Sequence, residues 1–244
     1  MGDAVDRNER SLTIASRRSV LLVDLDGTLT DAAPGIVGCF RFALAAMGRP
    51  APQDADLSWI IGPPLRQSFA EMLGGAHGAE EALAVYRSCY GSTGLFEAFV
   101  YAGAPEALAL LKDSGARLFL CTSKPAIYAR RILDRFGLAG SFDAAYGSEI
   151  DGRFEDKGDL IAHILAVERL DPGDCVMWGD RKHDVAGARR HAIPTIGALW
   201  GFGGEEELRR AGAAVLCAAP AEVPAAFGRF RREVAPAGRP PRDR

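Results

Sequence analysis

Two acidic residues, Asp24 and Asp26, follow the apolar run Val20-Leu21-Leu22-Val23 and are separated by a single residue. Side chains two residues apart in an extended backbone point to the same side, so the two carboxylates are predicted to lie together. Close carboxylates repel each other unless a cation or a proton lies between them. Mg²⁺ would satisfy this pair, because it binds one or two carboxylates together with waters and phosphate oxygens. A simple turn that closes the strand is the alternative explanation of an isolated Asp-Leu-Asp.

Polar residues also follow two further apolar runs. Thr122-Ser123-Lys124 comes directly after residues 118–121, and Gly179-Asp180 comes directly after residues 175–178. Because the carboxyl ends of parallel strands share one edge of a sheet, these residues are expected to converge on Asp24. A hydroxyl and backbone N–H groups at a strand-to-helix turn suit phosphate oxygens. Thr122 could instead be an ordinary helix N-cap, and Lys124 could face solvent.

The elements that must position these residues alternate along the chain. Short, continuous apolar runs are typical of strands buried on both faces, and amphipathic patterns of eight or more residues between them predict helices. The predicted strands are 20–23, 118–121, 142–146, 175–178, 195–199 and 214–217, and the predicted helices between them are 105–114, 126–136, 157–169 and 184–191. Such alternation predicts an α/β fold with a doubly wound parallel sheet.

One interval, residues 34–99, breaks this alternation, because it shows helical patterns at 36–47, 64–73 and 79–90 and little strand pattern. We interpret it as a helical cap domain inserted after the first strand and placed over the ligand-binding edge of the sheet. The predicted core domain therefore consists of residues 19–33 and 100–228. The flanking segments, 1–18 and 229–244, are predicted to be a disordered extension and a basic disordered tail.

Composition and charge narrow the class of protein. The chain has 244 residues, 48% hydrophobic and 25% charged, which suits a folded domain with a sizeable core. The formal net charge is −3, and the segment 19–228 carries −8 once the basic ends are set aside. An acidic body argues against a nucleic-acid partner. Without a long apolar run or a secretory leader, no membrane partner is expected and a cytoplasmic location is predicted, as a monomer or homodimer.

The five cysteines are odd in number and lie at least 32 residues apart, without any Cys-x-x-Cys pair. This spacing excludes the common zinc and redox motifs. Cys121 and Cys175 lie within strand-like runs, where a reduced thiol behaves as a small core side chain. A disulfide framework is therefore not expected.

The segment Asp24-Leu25-Asp26-Gly27-Thr28-Leu29 resembles the D-x-D-G-T-L signature of the haloacid dehalogenase superfamily. The resemblance extends over about residues 20–227 and is greatest to the capped phosphoglycolate phosphatase and 5′-nucleotidase-like branch. It implies a Rossmann-like core with an inserted helical cap. It also implies that Asp24 is a nucleophile that forms an aspartyl-phosphate, that Asp26 is the general acid and base, and that Gly27 and Thr28 contribute to substrate binding.

The other motifs of that superfamily find counterparts here. The resemblance assigns catalytic roles to Thr122 and Lys157, and phosphate binding to Ser123 and Lys124. Gly179-Asp180-Arg181-Lys182-His183-Asp184 resembles its G-D-x-x-x-D motif. The implied Mg²⁺ ligands are Asp24, the backbone carbonyl of Asp26, and Asp180, with Asp184 beside them holding water or Lys157. A helix N-cap is the alternative role for Asp184.

The resemblance implies a Mg²⁺-dependent phosphatase that acts on a small phosphate monoester, such as phosphoglycolate or a nucleoside 5′-monophosphate. A phosphosugar mutase and a non-catalytic phosphate-responsive module are the alternatives. In the cap, Pro63 and Arg66 are candidate substrate contacts, since a guanidinium fork suits a carboxylate or a second phosphate. Arg66 could equally be an exposed helix residue. The four histidines, including His183, are interpreted as structural.

Overall fold

The computed structural model describes residues 19–51 and 56–232. The predictions made for residues 1–18 and 233–244 lie outside the described residues. The strands, numbered in chain order, are β1 (Val20–Val23), β2 (Thr30–Asp31), β3 (Phe99–Val100), β4 (Arg117–Pro125), β5 (Ala144–Ser148), β6 (Cys175–Gly179), β7 (Thr195–Ala198) and β8 (Val215–Cys217). The helices are α1 (Ala33–Ala46), α2 (Leu65–Leu73), α3 (Ala79–Ser92), α4 (Ala104–Asp113), α5 (Ala126–Arg135), α6 (Lys157–Glu168), α7 (Lys182–Arg189), α8 (Gly204–Ala211) and α9 (Val223–Arg232).

Six of these strands form a parallel sheet in the order β5-β4-β1-β6-β7-β8. Strand β1 pairs with β4 on one side and with β6 on the other, so that Val20 lies between Arg117 and Cys175. The predicted α/β fold with a doubly wound parallel sheet is confirmed. The strand order reverses at β1, and a crevice at the carboxyl ends of the neighbouring strands is the usual ligand site of such sheets.

Strand β1 is buried on both faces, which explains its continuous apolar sequence. Leu21 and Val23 belong to the larger core cluster, which also contains residues of α4, α5 and α9. Val20 and Leu22 point to the opposite face and pack in a second cluster with residues of α6. Helices therefore cover both faces of the sheet, and the carboxyl end of β1 is held from two sides.

The helices α1, α2 and α3 form an insert between β2 and β3. Phe69 of α2 stacks on Phe40 of α1 at a centroid separation of 4.2 Å and meets Tyr86 of α3 edge-on. Strands β2 and β3 pair antiparallel, with Thr30 opposite Val100, so that the two chain crossings into the insert lie side by side. This ribbon was not predicted, because two residues per strand are too few to show an alternating pattern.

The expectation that the cysteines form no disulfide is wrong for one pair. Cys39 of α1 and Cys89 of α3 are joined, with their Cα atoms 5.6 Å apart. These residues are 50 positions apart in the sequence, and the packing of α1 against α3 is what brings them together. Cys121, Cys175 and Cys217 are buried as reduced thiols.

The predicted boundary of the basic tail, at residue 229, is corrected by α9, which continues to Arg232. Phe230 is 8% exposed and packs with Phe227 in the larger core cluster. The sequence did not predict this, because an Arg-rich segment with one phenylalanine shows little apolar pattern. The burial of Phe230 depends instead on the sheet face that lies beneath the helix. Among the described residues, no helix has the length and apolarity needed to cross a bilayer.

We expect Phe230→Ala to lower the free energy of unfolding by about 3–5 kcal/mol, because it removes a buried aromatic ring from the core. Urea unfolding of the full chain measures this difference. Arg229→Ala is the matched control, since Arg229 is exposed on the same helix, and it should change stability by less than about 0.5 kcal/mol. Equal effects of the two substitutions would show that α9 ends before Phe230.

Candidate active site

Asp24 and Lys157 form a buried ion pair at the carboxyl end of β1. Lys157 Nζ lies 2.8 Å from Asp24 Oδ1 and 2.8 Å from Asp184 Oδ1, and it donates to the carbonyl of Cys121 at 2.9 Å. A cation at the first position of a helix is opposed by the helix dipole. The two carboxylates and the carbonyl compensate for this position, and Asp156 caps the helix by accepting from the N–H of Asp159.

Burial disfavours the charged forms of both groups, and each charge of the pair stabilises the other. Burial favours neutral Lys157, but Asp184 and Asp24 outweigh it, and the pKa of Lys157 lies above its ordinary value. Burial raises the pKa of Asp24, and Lys157 offsets part of that rise. The ammonium is thus held charged beside the carboxylate that the sequence analysis identified as a nucleophile.

Three buried carboxylates, of Asp24, Asp180 and Asp184, each place one oxygen within 4.8 Å of the others. Among the described residues, the cation paired with this group is Lys157, so the carboxyl groups outnumber the ammonium three to one and negative charge is in excess. Burial and then the neighbouring carboxylates raise the pKa of Asp180. Hard oxygen donors with this excess charge fit a divalent cation such as Mg²⁺. The Asp26 carboxylate is not part of the group.

Hydrogen bonds fix the orientation of Asp180 and Asp184. Asp180 accepts from Thr28 Oγ1 at 3.2 Å and from the N–H of Phe202 at 2.8 Å. Asp184 accepts from the N–H of Arg181 at 3.0 Å. Because α7 begins at Lys182, Asp184 is its third residue and not the N-cap, but its carboxylate still caps the helix by accepting from the N–H of the N-cap residue Arg181.

Gly27 and Thr28, predicted to bind substrate, do not line the cleft. Gly27 has a φ of +84°, and a Cβ there would overlap the carboxylate of Asp180. Thr28 is fully buried, with its hydroxyl on Asp180 and its carbonyl accepting from Trp200 Nε1 at 3.0 Å. Thr28 therefore holds Asp180 in place, and Gly27 leaves the space that its carboxylate occupies.

A cleft of about 850 Å³ separates this edge of the sheet from the helical insert. It brings together most of the residues that the sequence analysis singled out. These are Asp24, Asp26, Pro63, Arg66, Thr122, Ser123, Lys124, Lys157 and Asp184. Asp180 is fully buried and does not line the cleft, so it can act on a bound group there only through a shared cation.

The polar residues that end β4 lie in an irregular part of the strand. The pairing with β5 shifts register between Thr122 and Pro125, and Ser148 Oγ donates to the carbonyl of Ser123 at 2.8 Å. Thr122 Oγ1 accepts from the N–H of Lys124, and α5 begins only at Ala126, so Thr122 is not the N-cap of that helix. Such an irregularity redirects side chains.

Lys124 does not face solvent, so the alternative that the sequence analysis gave for this residue is wrong. It is 9% exposed, and its Nζ lies 2.7 Å from Asp26 Oδ2. The Asp26 carboxylate therefore has a cationic partner of its own, distinct from Lys157. Burial raises the pKa of Asp26, and Lys124 partly offsets that rise.

Pro63 and Arg66 belong to the insert and face the cleft. Pro64 precedes α2, which begins at Leu65, and Arg66 forms an ion pair with Glu80 of α3. The Arg66 side chain is 34% exposed, so it is at once a helix surface residue and part of the cleft wall.

Several cleft residues were not predicted. Tyr86, Arg87 and Tyr90 of α3 line the cleft, as does Tyr128 of α5. Aromatic residues at helical spacing are typical of core packing, so the sequence carried no sign that they face a site. His183, interpreted as structural, also lines the cleft, and its Nε2 has no hydrogen-bond partner among the described residues. Its place within the Gly179–Asp184 motif was the available signal.

Comparisons with known proteins agree with this geometry. The family model described as haloacid dehalogenase-like hydrolase matches residues 19–191. A protein named 5′-nucleotidase from Pseudomonas aeruginosa is 45% identical over 196 residues, which cover 80% of this chain and 89% of that protein. Tyrosine-protein kinase PtkA from Mycobacterium tuberculosis is 42% identical over 75% of this chain, and the match spans 63% of the kinase.

A solved structure shares the whole fold. The crystal structure of a predicted phosphatase from Clostridium acetobutylicum has a TM-score of 0.84 and 36% identity, covering 87% of this chain and 99% of that one. The family expected from the residues around Asp24 is thereby confirmed. The chain belongs to the family of haloacid dehalogenase-like hydrolases.

Proposed function

We propose that this hydrolase is a Mg²⁺-dependent phosphatase that cleaves a small phosphate monoester through an aspartyl-phosphate on Asp24. The observation that carries the proposal is the buried Asp24 carboxylate, held 2.8 Å from Lys157 at the floor of a cleft that Thr122 and Lys124 also line. The insert between residues 34 and 99 serves as a cap domain over a core of residues 19–33 and 100–232.

In the first step, a carboxylate oxygen of Asp24 attacks phosphorus, and the bond from phosphorus to the ester oxygen breaks. Asp26 gives a proton to that departing oxygen, so the alcohol leaves neutral. The Lys157 ammonium and the Thr122 hydroxyl face the phosphoryl oxygens and counter their charge. The products of this step are the alcohol and the aspartyl-phosphate.

In the second step, a water molecule attacks the aspartyl-phosphate while Asp26, now ionised, accepts its proton. The phosphorus to Asp24 bond breaks, and inorganic phosphate leaves with Asp24 again a carboxylate and Asp26 again protonated. Asp24, Asp180, Asp184 and the Asp26 carbonyl would hold Mg²⁺, which supplies positive charge to the phosphoryl oxygens when bound. Fixed positive charge at this edge stabilises a transition state that is rich in negative charge.

The substrate class that we propose is phosphoglycolate or a nucleoside 5′-monophosphate. The relative named 5′-nucleotidase supports the second, and the half-buried ring of Tyr128 on the cleft wall could face a base. Pro63 and Arg66 are the insert residues that we propose to contact the part of the ester remote from phosphorus.

Two other activities could use the same phosphoryl-transfer chemistry, and an assay can distinguish each of them from phosphatase activity. A mutase or a kinase would pass the phosphoryl group to an acceptor other than water. The relative named a tyrosine-protein kinase makes the second worth testing, although residues 201–204 lack the Gly-Lys-Ser/Thr ending of a P-loop. Release of inorganic phosphate from a monoester distinguishes hydrolysis from both.

Asp24→Asn is expected to lower phosphate release by at least about a thousandfold, because it removes the nucleophile. The assay measures inorganic phosphate from p-nitrophenyl phosphate, phosphoglycolate, AMP and sugar phosphates. Asp134→Asn, an exposed position on α5, is the matched control and should retain full activity. Comparable turnover by Asp24→Asn, or no turnover of any ester by the folded wild type, would contradict the proposed function.

Mg²⁺ is expected to raise the Tm of the wild-type chain by about 5–10 °C at a hundred times its Kd, because it binds the folded state and relieves repulsion among buried carboxylates. Asp180→Asn should abolish this shift, whereas Asp134→Asn should keep it. Thermal unfolding with Mg²⁺ or with EDTA measures both. A shift of the same size in Asp180→Asn would place the cation elsewhere.

A further inference from the structure

The insert reaches the floor of the cleft through the hydroxyl of Tyr90. Tyr90 is 1% exposed near the end of α3, stacked on Tyr86 at 5.3 Å and packed edge-on against Tyr128 at 5.6 Å. Two ring contacts and burial leave the side chain little freedom. The position of its hydroxyl therefore follows the position of the insert on the sheet.

The partner of that hydroxyl is Lys124, whose Nζ lies 2.5 Å from Tyr90 Oη and 4.6 Å from the ring centroid. The backbone of Lys124 is fixed by the irregular end of β4, and its carbonyl packs so close to Gly147 that a Cβ there would overlap it. An ammonium has three donors. Contacts with Tyr90 and Asp26 use two of them and determine where Nζ lies.

Asp26 has one hydrogen-bonded oxygen and one without a partner. Oδ2 lies 2.7 Å from Lys124 Nζ, whereas Oδ1 is buried and has no hydrogen-bond partner among the described residues. Rotation of a carboxylate about its last bond is broad unless contacts restrict it. The contact with Lys124 is thus the restraint on the Asp26 carboxylate, and it leaves Oδ1 for a reacting group.

We infer that Tyr90 is a positioning residue, which acts through Lys124 to orient the Asp26 carboxylate toward the departing ester oxygen. The inference rests on the proposed function, because it assigns Asp26 the proton transfer described above. Its consequence is that the insert must be seated on the sheet before the leaving group can be protonated efficiently. The hydrogen bond between Tyr90 and Lys124 would then link the binding of an ester under the insert to the orientation of its proton donor.

The distinctive signature of this role is sensitivity to the leaving group. p-Nitrophenolate is a weak base and departs with little help from a proton, whereas phenolate is more basic and needs it. The value of kcat/KM reports the steps up to departure of the alcohol. A general loss of folding or of phosphate binding lowers kcat/KM for both aryl phosphates equally, but a misplaced proton donor lowers the value for phenyl phosphate more.

The experiment compares kcat/KM for p-nitrophenyl phosphate and phenyl phosphate in the wild type, Tyr90→Phe and Tyr146→Phe. Tyr146 is a suitable control, because its hydroxyl bonds to Glu168 at 2.6 Å and it does not line the cleft. We expect Tyr90→Phe to raise the ratio of kcat/KM for p-nitrophenyl phosphate to kcat/KM for phenyl phosphate by about tenfold. This is a fraction of the rate enhancement that a general acid contributes. Tyr146→Phe should leave the ratio unchanged.

Lys124→Met supplies a second test that does not depend on the folding of Tyr90→Phe. It should lower both values, since Lys124 faces the phosphate, and it should also raise the ratio. Adding Tyr90→Phe to Lys124→Met should raise the ratio no further, because the link is already broken. An unchanged ratio in folded Tyr90→Phe or in Lys124→Met, with an active wild type, overturns this inference alone. An inactive wild type overturns it together with the proposed function.

Discussion

Three carboxylates, of Asp24, Asp180 and Asp184, are buried together at the carboxyl end of β1, and the ammonium of Lys157 pairs with two of them. Like charges in a medium of low polarity are costly to hold together. Asp24, Asp180 and Asp184 are therefore tied down by Lys157, by backbone N–H groups and by the hydroxyl of Thr28. A site of this kind favours the binding of a cation, because the fold itself holds the acidic groups close together.

This constraint explains glycines that secondary structure alone does not require. A Cβ at Gly27 or at Gly201 would overlap the carboxylate of Asp180, and one at Gly179 would overlap that of Asp184. The backbones of three separate segments thus pass within contact distance of the acidic side chains. Their close approach excludes water from the back of the group and leaves the cleft as its open side.

The parts of the molecule that sequence alone predicted share a local cause. Strand β1 and the start of α6 follow from patterns within a few residues, and the motif around Asp24 is enough to indicate the family. Thr122 and Asp184 lie at the site but neither occupies an N-cap position, because strand irregularity and the true start of α7 decide their contacts. The Tyr86 and Tyr90 rings, and the Cys39 to Cys89 bond, arise from packing between distant segments, which no local pattern encodes.

The ribbon of β2 and β3 has a geometric consequence. Both crossings between the sheet and the insert pass through it, with Asp31 opposite Phe99. A segment attached at two adjacent points can swing about the line that joins them but cannot easily slide or twist. A rotation of the insert about the ribbon would therefore move the beginning of α3, which is far from the ribbon, more than the end of α3 near it. The placement of the insert over the cleft would then depend on the stiffness of four residues that do not line the cleft themselves.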